Sequence, residues 1–208
     1  MNDKIQAIFD RLTDRYPALS ACRPDIEAAC QLMIDSFRAG GKLLACGNGG
    51  SAADAQHIVG ELMKSFVLPR HLPEEVYRRL DDVYLCANLQ GALPAISLIG
   101  ESALTTAYAN DCAPDLAFAQ QVLGLGRPGD MLLGITTSGN SKNVLYAAKV
   151  ARAQGMKTIM LTGAGGGQAA QLADVIICVP ETETFKVQEY HLPVYHALCL
   201  AIEEEFFG

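Results

Sequence analysis

The residues best equipped for chemistry fall into three clusters. The first is Gly47, Asn48, Gly49, Gly50 and Ser51, followed a few turns later by His57 and Glu61. A glycine-rich loop between an apolar strand and a helix start presents unpaired backbone N–H groups, and the helix dipole favours an anion there, so phosphate is its natural guest. The second cluster is Thr136, Thr137, Ser138 and Ser141 around Gly139-Asn140, which sets four hydroxyls at another strand-to-helix junction. Capping that helix would use only one of them, and the surplus suits the several oxygens of a phosphate. The third cluster is Gln188, His191 and His196 near the C-terminus. Alone, G-N-G-G-S could be a plain turn. Together the two loops favour a phosphorylated small molecule. Neither nucleotide fingerprint is met, because the spacing is not G-x-G-x-x-G and no Lys follows the loop as a P-loop requires; no nucleotide cofactor is expected.

His57 and Glu61 are four apart on the helix after the first loop, hence on one face. A surface pair is the plainer alternative, but their helix starts at the proposed phosphate loop. Moving a proton from carbon takes a carboxylate or imidazole base, and moving one on a neighbouring hydroxyl takes a second group. Glu61 and a histidine suffice. His191 and His196 lie five apart and face differently, and His191 reads as a structural histidine with its hydrogen bonds satisfied. Gln188 and His196 are separated by about 12 Å of helix rise. Bringing the two side chains together demands a bend, which Pro193 could supply, or two subunits.

The elements that must position these clusters follow from the apolar spacing. Ile5, Ile8, Phe9, Leu12 and Tyr16 define a first helix that Pro17 stops; a second begins at Pro24, carries Ile26, Ala29, Cys30, Met33 and Phe37 on one face, and closes at Gly40-Gly41. Short apolar strands are expected at Lys42 to Cys46, Ala95 to Leu98, Met131 to Thr136, Lys157 to Leu161 and Val175 to Val179. Helices are expected from Ala52 to about Phe66, Ser141 to Gln154 and Glu183 to Phe207. This alternation predicts an α/β, single-domain three-layer sandwich over 1–208 with a central parallel sheet, and an N-terminal helical hairpin, about 1–40, packed on it. Residues 67–94 read as an excursion from the sheet with a short helix at Glu74 to Leu80.

The composition limits the partners. At 208 residues, 50% hydrophobic and 19% charged, the chain has one core to bury and is not intrinsically disordered. Its net charge of -7, with no Lys or Arg run longer than two, argues against a nucleic-acid backbone or an anionic membrane as partner. The N-terminus mixes charges and lacks a signal-peptide apolar stretch, and no segment has the length of a membrane span. Seven scattered cysteines read as small buried hydrophobes in a reducing cytoplasm, without a disulfide framework. The amphipathic N-terminal helices and the broadly apolar last helix leave surface to cover, which predicts a homo-oligomer.

Three motifs in order, C-G-N-G-G-S-A-A-D-A-Q-H-I-V-G-E (Cys46 to Glu61), T-T-S-G-N-S (Thr136 to Ser141) and Q-E-Y-H-L-P-V-Y-H (Gln188 to His196), resemble the sugar-isomerase (SIS) family over nearly the whole chain. The resemblance implies a flavodoxin-like sheet, a cytoplasmic homotetramer, and isomerisation of sedoheptulose 7-phosphate to D-glycero-D-manno-heptose 7-phosphate. By position it implies a sugar-phosphate site of Asn48, Gly49, Gly50, Ser51, Asn110, Asp111, Thr136, Thr137, Ser138, Ser141 and Gln188, with Glu61 and His196 as acid and base. Some members bind zinc through the positions matching His57, Glu61, Gln188 and His196, so zinc is an optional metal in this reading. Thr136 stands where Ser is usual, Gly60 and Lys64 replace other residues, and 67–94 is longer; these departures bear on which sugar is used. The competing reading is a non-catalytic SIS protein of the DiaA type, an oligomeric protein-binding platform, which has no need of the Glu61 and His196 pair.

Overall fold

Apolar runs of four to six residues, with one of three, form the strands of the computed structural model, which describes residues 1–208: β1 (Leu43–Gly47), β2 (Ala95–Ser97), β3 (Met131–Ile135), β4 (Lys157–Thr162) and β5 (Val175–Cys178). All neighbours pair in parallel in the order β2-β1-β3-β4-β5, with Leu43 opposite both Ala95 and Met131 and Gly47 opposite Ile135. Successive residues point to opposite faces, and here both faces are apolar. Leu43, Ala45, Leu133 and Ile159 point to one core, whereas Leu44, Cys46, Leu132 and Met160 point to another.

There are nine helices: α1 (Asp3–Arg15), α2 (Arg23–Arg38), α3 (Gly50–Met63), α4 (Glu74–Leu80), α5 (Val83–Asn88), α6 (Ser102–Asp111), α7 (Ala117–Leu125), α8 (Lys142–Ala153) and α9 (Thr184–Phe207). Of these, α1, α2, α3, α7, α8 and α9 bury side chains on the two faces. α1 starts where the Asn2 side chain accepts the Ile5 N–H at 2.9 Å. Its Ile5 and Phe9, with Ile26 and Met33 of α2, share one continuous core with Leu133, Ile159 and the Ala201 and Ile202 of α9. The N-terminal helices therefore form one layer with α3 and α9. On the opposite face Val144, Ala147, Ala148 and Ala151 of α8 pack with Phe118 and Val122 of α7. No helix is long and apolar enough to cross a membrane.

Two regions depart from the sequence reading. α6 and α7 lie in a stretch where the spacing gave no element; α6 buries no residue and shows little amphipathic periodicity, so nothing marked it. α3 begins two residues before Ala52 and ends at Met63 instead of running on to Phe66. The cause of the early end is Glu203 of α9, whose carboxylate accepts the N–H groups of Phe66, Val67 and Leu68 at 2.8, 2.8 and 3.0 Å and so draws them out of the helix. Arg70 then pairs with Glu203 at 2.8 Å and donates to the carbonyls of Leu62 and Glu61 at 2.7 and 2.8 Å, closing the last turn of α3. Past this anchor the excursion is α4 and α5, neither of which buries a residue.

Candidate active site

β1 leads through α3 to β2 on one side of it, and the chain later returns to β3 on the other side, covered by α8 on the opposite face. Such a switch point leaves a crevice at the C-terminal strand ends, where ligands of open α/β sheets gather. Both phosphate-loop candidates leave from it, because Gly47 and Ile135 are paired across it. Gly49 turns the first loop at φ +56, a backbone that side-chain-bearing residues rarely adopt, and Ser51 is buried just inside α3. Asn48 and Asn143 exchange amide hydrogen bonds of 2.9 and 2.8 Å and lock the two loops together.

The hydroxyls of the second loop are not spent on capping. Ser141 stands at the N-cap of α8 without a side-chain cap bond, and its hydroxyl meets the buried Thr136 Oγ1 at 2.9 Å. Thr137 is half-buried; Ser138 is exposed and accepts the Asn140 N–H at 3.2 Å. α3 likewise begins without a side-chain cap. Two helix N-termini without N-cap side-chain bonds thus flank one crevice, their dipoles directed at it. Gln188 lies over it: a Cβ added at Gly50 would come 2.6 Å from Gln188 Nε2, so the Gln188 amide rests on the start of α3 at the first loop.

A second cluster lies at the far end of α3. Asp54, His57, Glu61 and Lys64 recur every three or four residues on its face toward α9, which contributes Tyr195 and His196. His57 Nε2 is 3.2 Å from Glu61 Oε1, and Lys64 Nζ is 3.1 Å from Glu61 Oε2. His57 Nδ1 is 3.0 Å from the Tyr195 hydroxyl, which donates to Asp54 Oδ1 at 3.3 Å. Glu61 is only 9% exposed. The His196 ring packs edge-on to His57, centroids 5.0 Å apart, and its Nε2 is buried without a partner. Burial lowers the His196 pKa, the neighbouring His57 lowers it further, and the Glu61 charge opposes both. Burial raises the Asp54 pKa against its bond from Tyr195 and the nearby His57. An open groove of about 530 Å³ adjoins His196 between α1 and α9, bordered by Arg11, Arg15, Tyr16, Phe66 and Leu192.

Some expected neighbours do not meet in this chain. Asn110 and Asp111 sit at the exposed end of α6, where Asn110 Nδ2 bonds Asp111 Oδ1 at 2.8 Å and neither bonds another site residue. Pro193 lies inside an unbroken α9, so Gln188 and His196 stay apart, one over the phosphate loop and the other beside His57. No three His, Cys, Asp or Glu side chains converge as a metal-holding group, and both His57 ring nitrogens already have partners. The donor set as placed therefore does not fit zinc within one chain. His191 is fully buried, but not satisfied as expected: both ring nitrogens lack partners, and the Thr162 backbone approaches without completing a hydrogen bond. Burial pushes its pKa down to about 4, with the Thr162 backbone opposing. Sequence reasoning missed Asn143, Asp54 and Tyr195. Asp54 alone carried a signal, three residues before His57 on the same helix face.

The fold and the paired loops define an open α/β sheet with a hydroxyl- and glycine-lined crevice at its switch point, and comparison with known proteins gives the family. The SIS domain matches residues 96–201, and a second SIS domain description matches residues 8–83. The chain belongs to the SIS-domain family. Among its relatives, the phosphoheptose isomerase of Roseiflexus sp. is 42% identical over 205 residues, covering 99% of this chain and 92% of the relative. That of Thiobacillus denitrificans is 42% identical over 212 residues, covering 100% and 98%. The solved structure of phosphoheptose isomerase GmhA from Neisseria gonorrhoeae superposes with a TM-score of 0.76 at 35% identity, covering 97% of this chain and 98% of that one.

Proposed function

We propose that this chain is an aldose-ketose isomerase that interconverts sedoheptulose 7-phosphate and D-glycero-D-manno-heptose 7-phosphate through an enediol. The observation that carries the reading is the meeting of Glu61 and His57, on the helix that starts at the first loop, with His196 of α9. The full-length relatives bear the name of that reaction, which supports the seven-carbon substrate. The hydroxyls and helix N-termini of the crevice bind the phosphate. Glu61 takes the carbon-bound proton. His196, whose lowered pKa keeps an unprotonated nitrogen available near neutral pH, accepts and returns protons on oxygen during ring opening and enediol formation.

A cytoplasmic homotetramer is part of this proposal. Val83 and Tyr84 are 87% and 73% exposed on the excursion, and apolar side chains of that size commonly lie at interfaces. About 16 Å of helix rise separates Gly50 from Glu61, a gap that a second copy can help to close. A DiaA-type platform needs neither Glu61 nor His196 at these places. The test is an isomerisation assay on C5 to C7 ketose phosphates, with turnover expected on sedoheptulose 7-phosphate and at least tenfold less on shorter sugars. Turnover confined to another sugar would reassign the substrate, and no turnover on any would favour the platform.

A further inference from the structure

Asn140 joins the second loop to the chain behind it. A short 3-10 helix, Gly167–Gln171, follows β4, and its Gln168 N–H donates to Asn140 Oδ1 at 3.1 Å. Asn140 Nδ2 donates in turn to the Ser138 carbonyl at 2.8 Å. The two bonds fix the orientation of the amide, because the backbone N–H needs its oxygen and the carbonyl needs its NH₂. On either side of Ser138 the loop is tied by backbone alone: the Gly163 N–H donates to the Thr137 carbonyl and the Ala169 N–H to the Gly139 carbonyl, each at 3.0 Å. No other group of the chain bonds the Ser138 carbonyl. The approach leaves no room for a side chain at Gly139, whose φ is +68 and whose added Cβ would lie 2.1 Å from the Gly166 carbonyl oxygen.

The consequence falls on the Ser138 hydroxyl, which has one hydrogen to give. Ser138 Oγ accepts the Asn140 N–H at 3.2 Å, so that hydrogen is not spent within the loop, and Ser138 is exposed. The Oγ stays over the Asn140 N–H only while the main chain between the two residues keeps its turn, and the Asn140 side chain closes that turn through the Ser138 carbonyl. We propose that Asn140 is a positioning residue: by bridging the Gln168 N–H to the Ser138 carbonyl, it holds Ser138 with its hydroxyl hydrogen available to the phosphate of the substrate. The role rests on the reading of the second loop as a phosphate site.

Asn140→Ala removes both side-chain bonds and keeps the backbone N–H that Ser138 accepts. Sedoheptulose 7-phosphate should then bind about fivefold more weakly by calorimetry, the worth of one ordinary hydrogen bond, with KM raised to match and kcat changed less than about twofold. Asn140→Ser, whose hydroxyl is too short to span both groups, serves if Asn140→Ala does not fold, and should show the same weakening. A double-variant cycle separates this role from a general loosening of the loop. If Asn140 acts through Ser138, Asn140→Ala should add less than about twofold to the roughly tenfold loss of Ser138→Ala, whereas independent effects would multiply to about fiftyfold. Folded single variants of Asn140 that bind as the wild type does, or a double variant weakened about fiftyfold, would overturn the positioning role and leave the phosphate site in place. A wild type that binds no sugar phosphate, or a Ser138→Ala variant that binds it as tightly as the wild type, would overturn the phosphate reading and the role with it.

Discussion

Replacing Glu203 by Gln alters one atom of a side chain that four donors share. Phe66 N and Arg70 Nε approach Oε1, while Val67 N and Leu68 N approach Oε2. Whichever position the new NH₂ takes, it faces two donors, and the Arg70 guanidinium, 0% exposed, loses its counter-charge. Breaking a buried pair on one side costs about 3–5 kcal/mol, a large share of the roughly 5–15 kcal/mol that holds a domain together. Urea unfolding of Glu203→Gln should therefore show that loss at unchanged m. The pH dependence has a defined sign. Burial alone would raise the Glu203 pKa, but the N–H groups of Phe66, Leu68 and Val67 and the Arg70 bond outweigh it and hold it below the usual carboxylate value. The pair thus stabilises fully above the unfolded carboxylate pKa, about 4.3, and its contribution fades as pH falls through the lower folded value. Because Arg70 also closes the turn that carries Glu61, kcat should fall with stability. A loss below about 1 kcal/mol would refute the anchor.

Ser138→Ala should leave unfolding unchanged and weaken sedoheptulose 7-phosphate about tenfold by calorimetry, the worth of one hydrogen bond to a charged group; unchanged affinity would move the phosphate elsewhere. Asn143→Ala frees Asn48 and should raise KM several-fold with little change in kcat, since the two loops lose their mutual tie. His191 contributes stability that is fully present above its unfolded pKa of about 6.5 and is lost as pH falls toward the folded value of about 4. At about 1.4 kcal/mol per pH unit the loss is about 3 kcal/mol, and His191→Asn should flatten that limb in urea titrations at pH 4 to 7.

The strands and the two loops were legible because their signals are local. A parallel sheet buried on both faces leaves short continuous apolar runs, and glycine and hydroxyl clusters at strand ends announce themselves without neighbours. What escaped depends on partners distant in sequence. Tyr195 reads as one more apolar position of a helix until Asp54 and His57, 141 and 138 residues earlier, are seen at its hydroxyl. Glu203 reads as part of the acidic run E-E-E beside the C-terminus, and only the bend at Phe66 to Leu68 gives it a role. His191 misled in the opposite way: burial was anticipated, but the expected hydrogen bonds are not made. α6 was invisible because it buries nothing in this chain.

The central claim is that Glu61 removes a carbon-bound proton from a sugar phosphate, and solvent exchange reads that step without depending on product release. In deuterated buffer the wild type should incorporate deuterium into the reacting carbon of sedoheptulose 7-phosphate, followed by NMR, and convert it to the aldose. Glu61→Gln keeps size and hydrogen bonding, and should abolish both exchange and conversion while binding the sugar with unchanged affinity. Exchange by Glu61→Gln at the wild-type rate would contradict the assignment of the base, and a wild type that neither exchanges nor converts any sugar phosphate would contradict the isomerase itself.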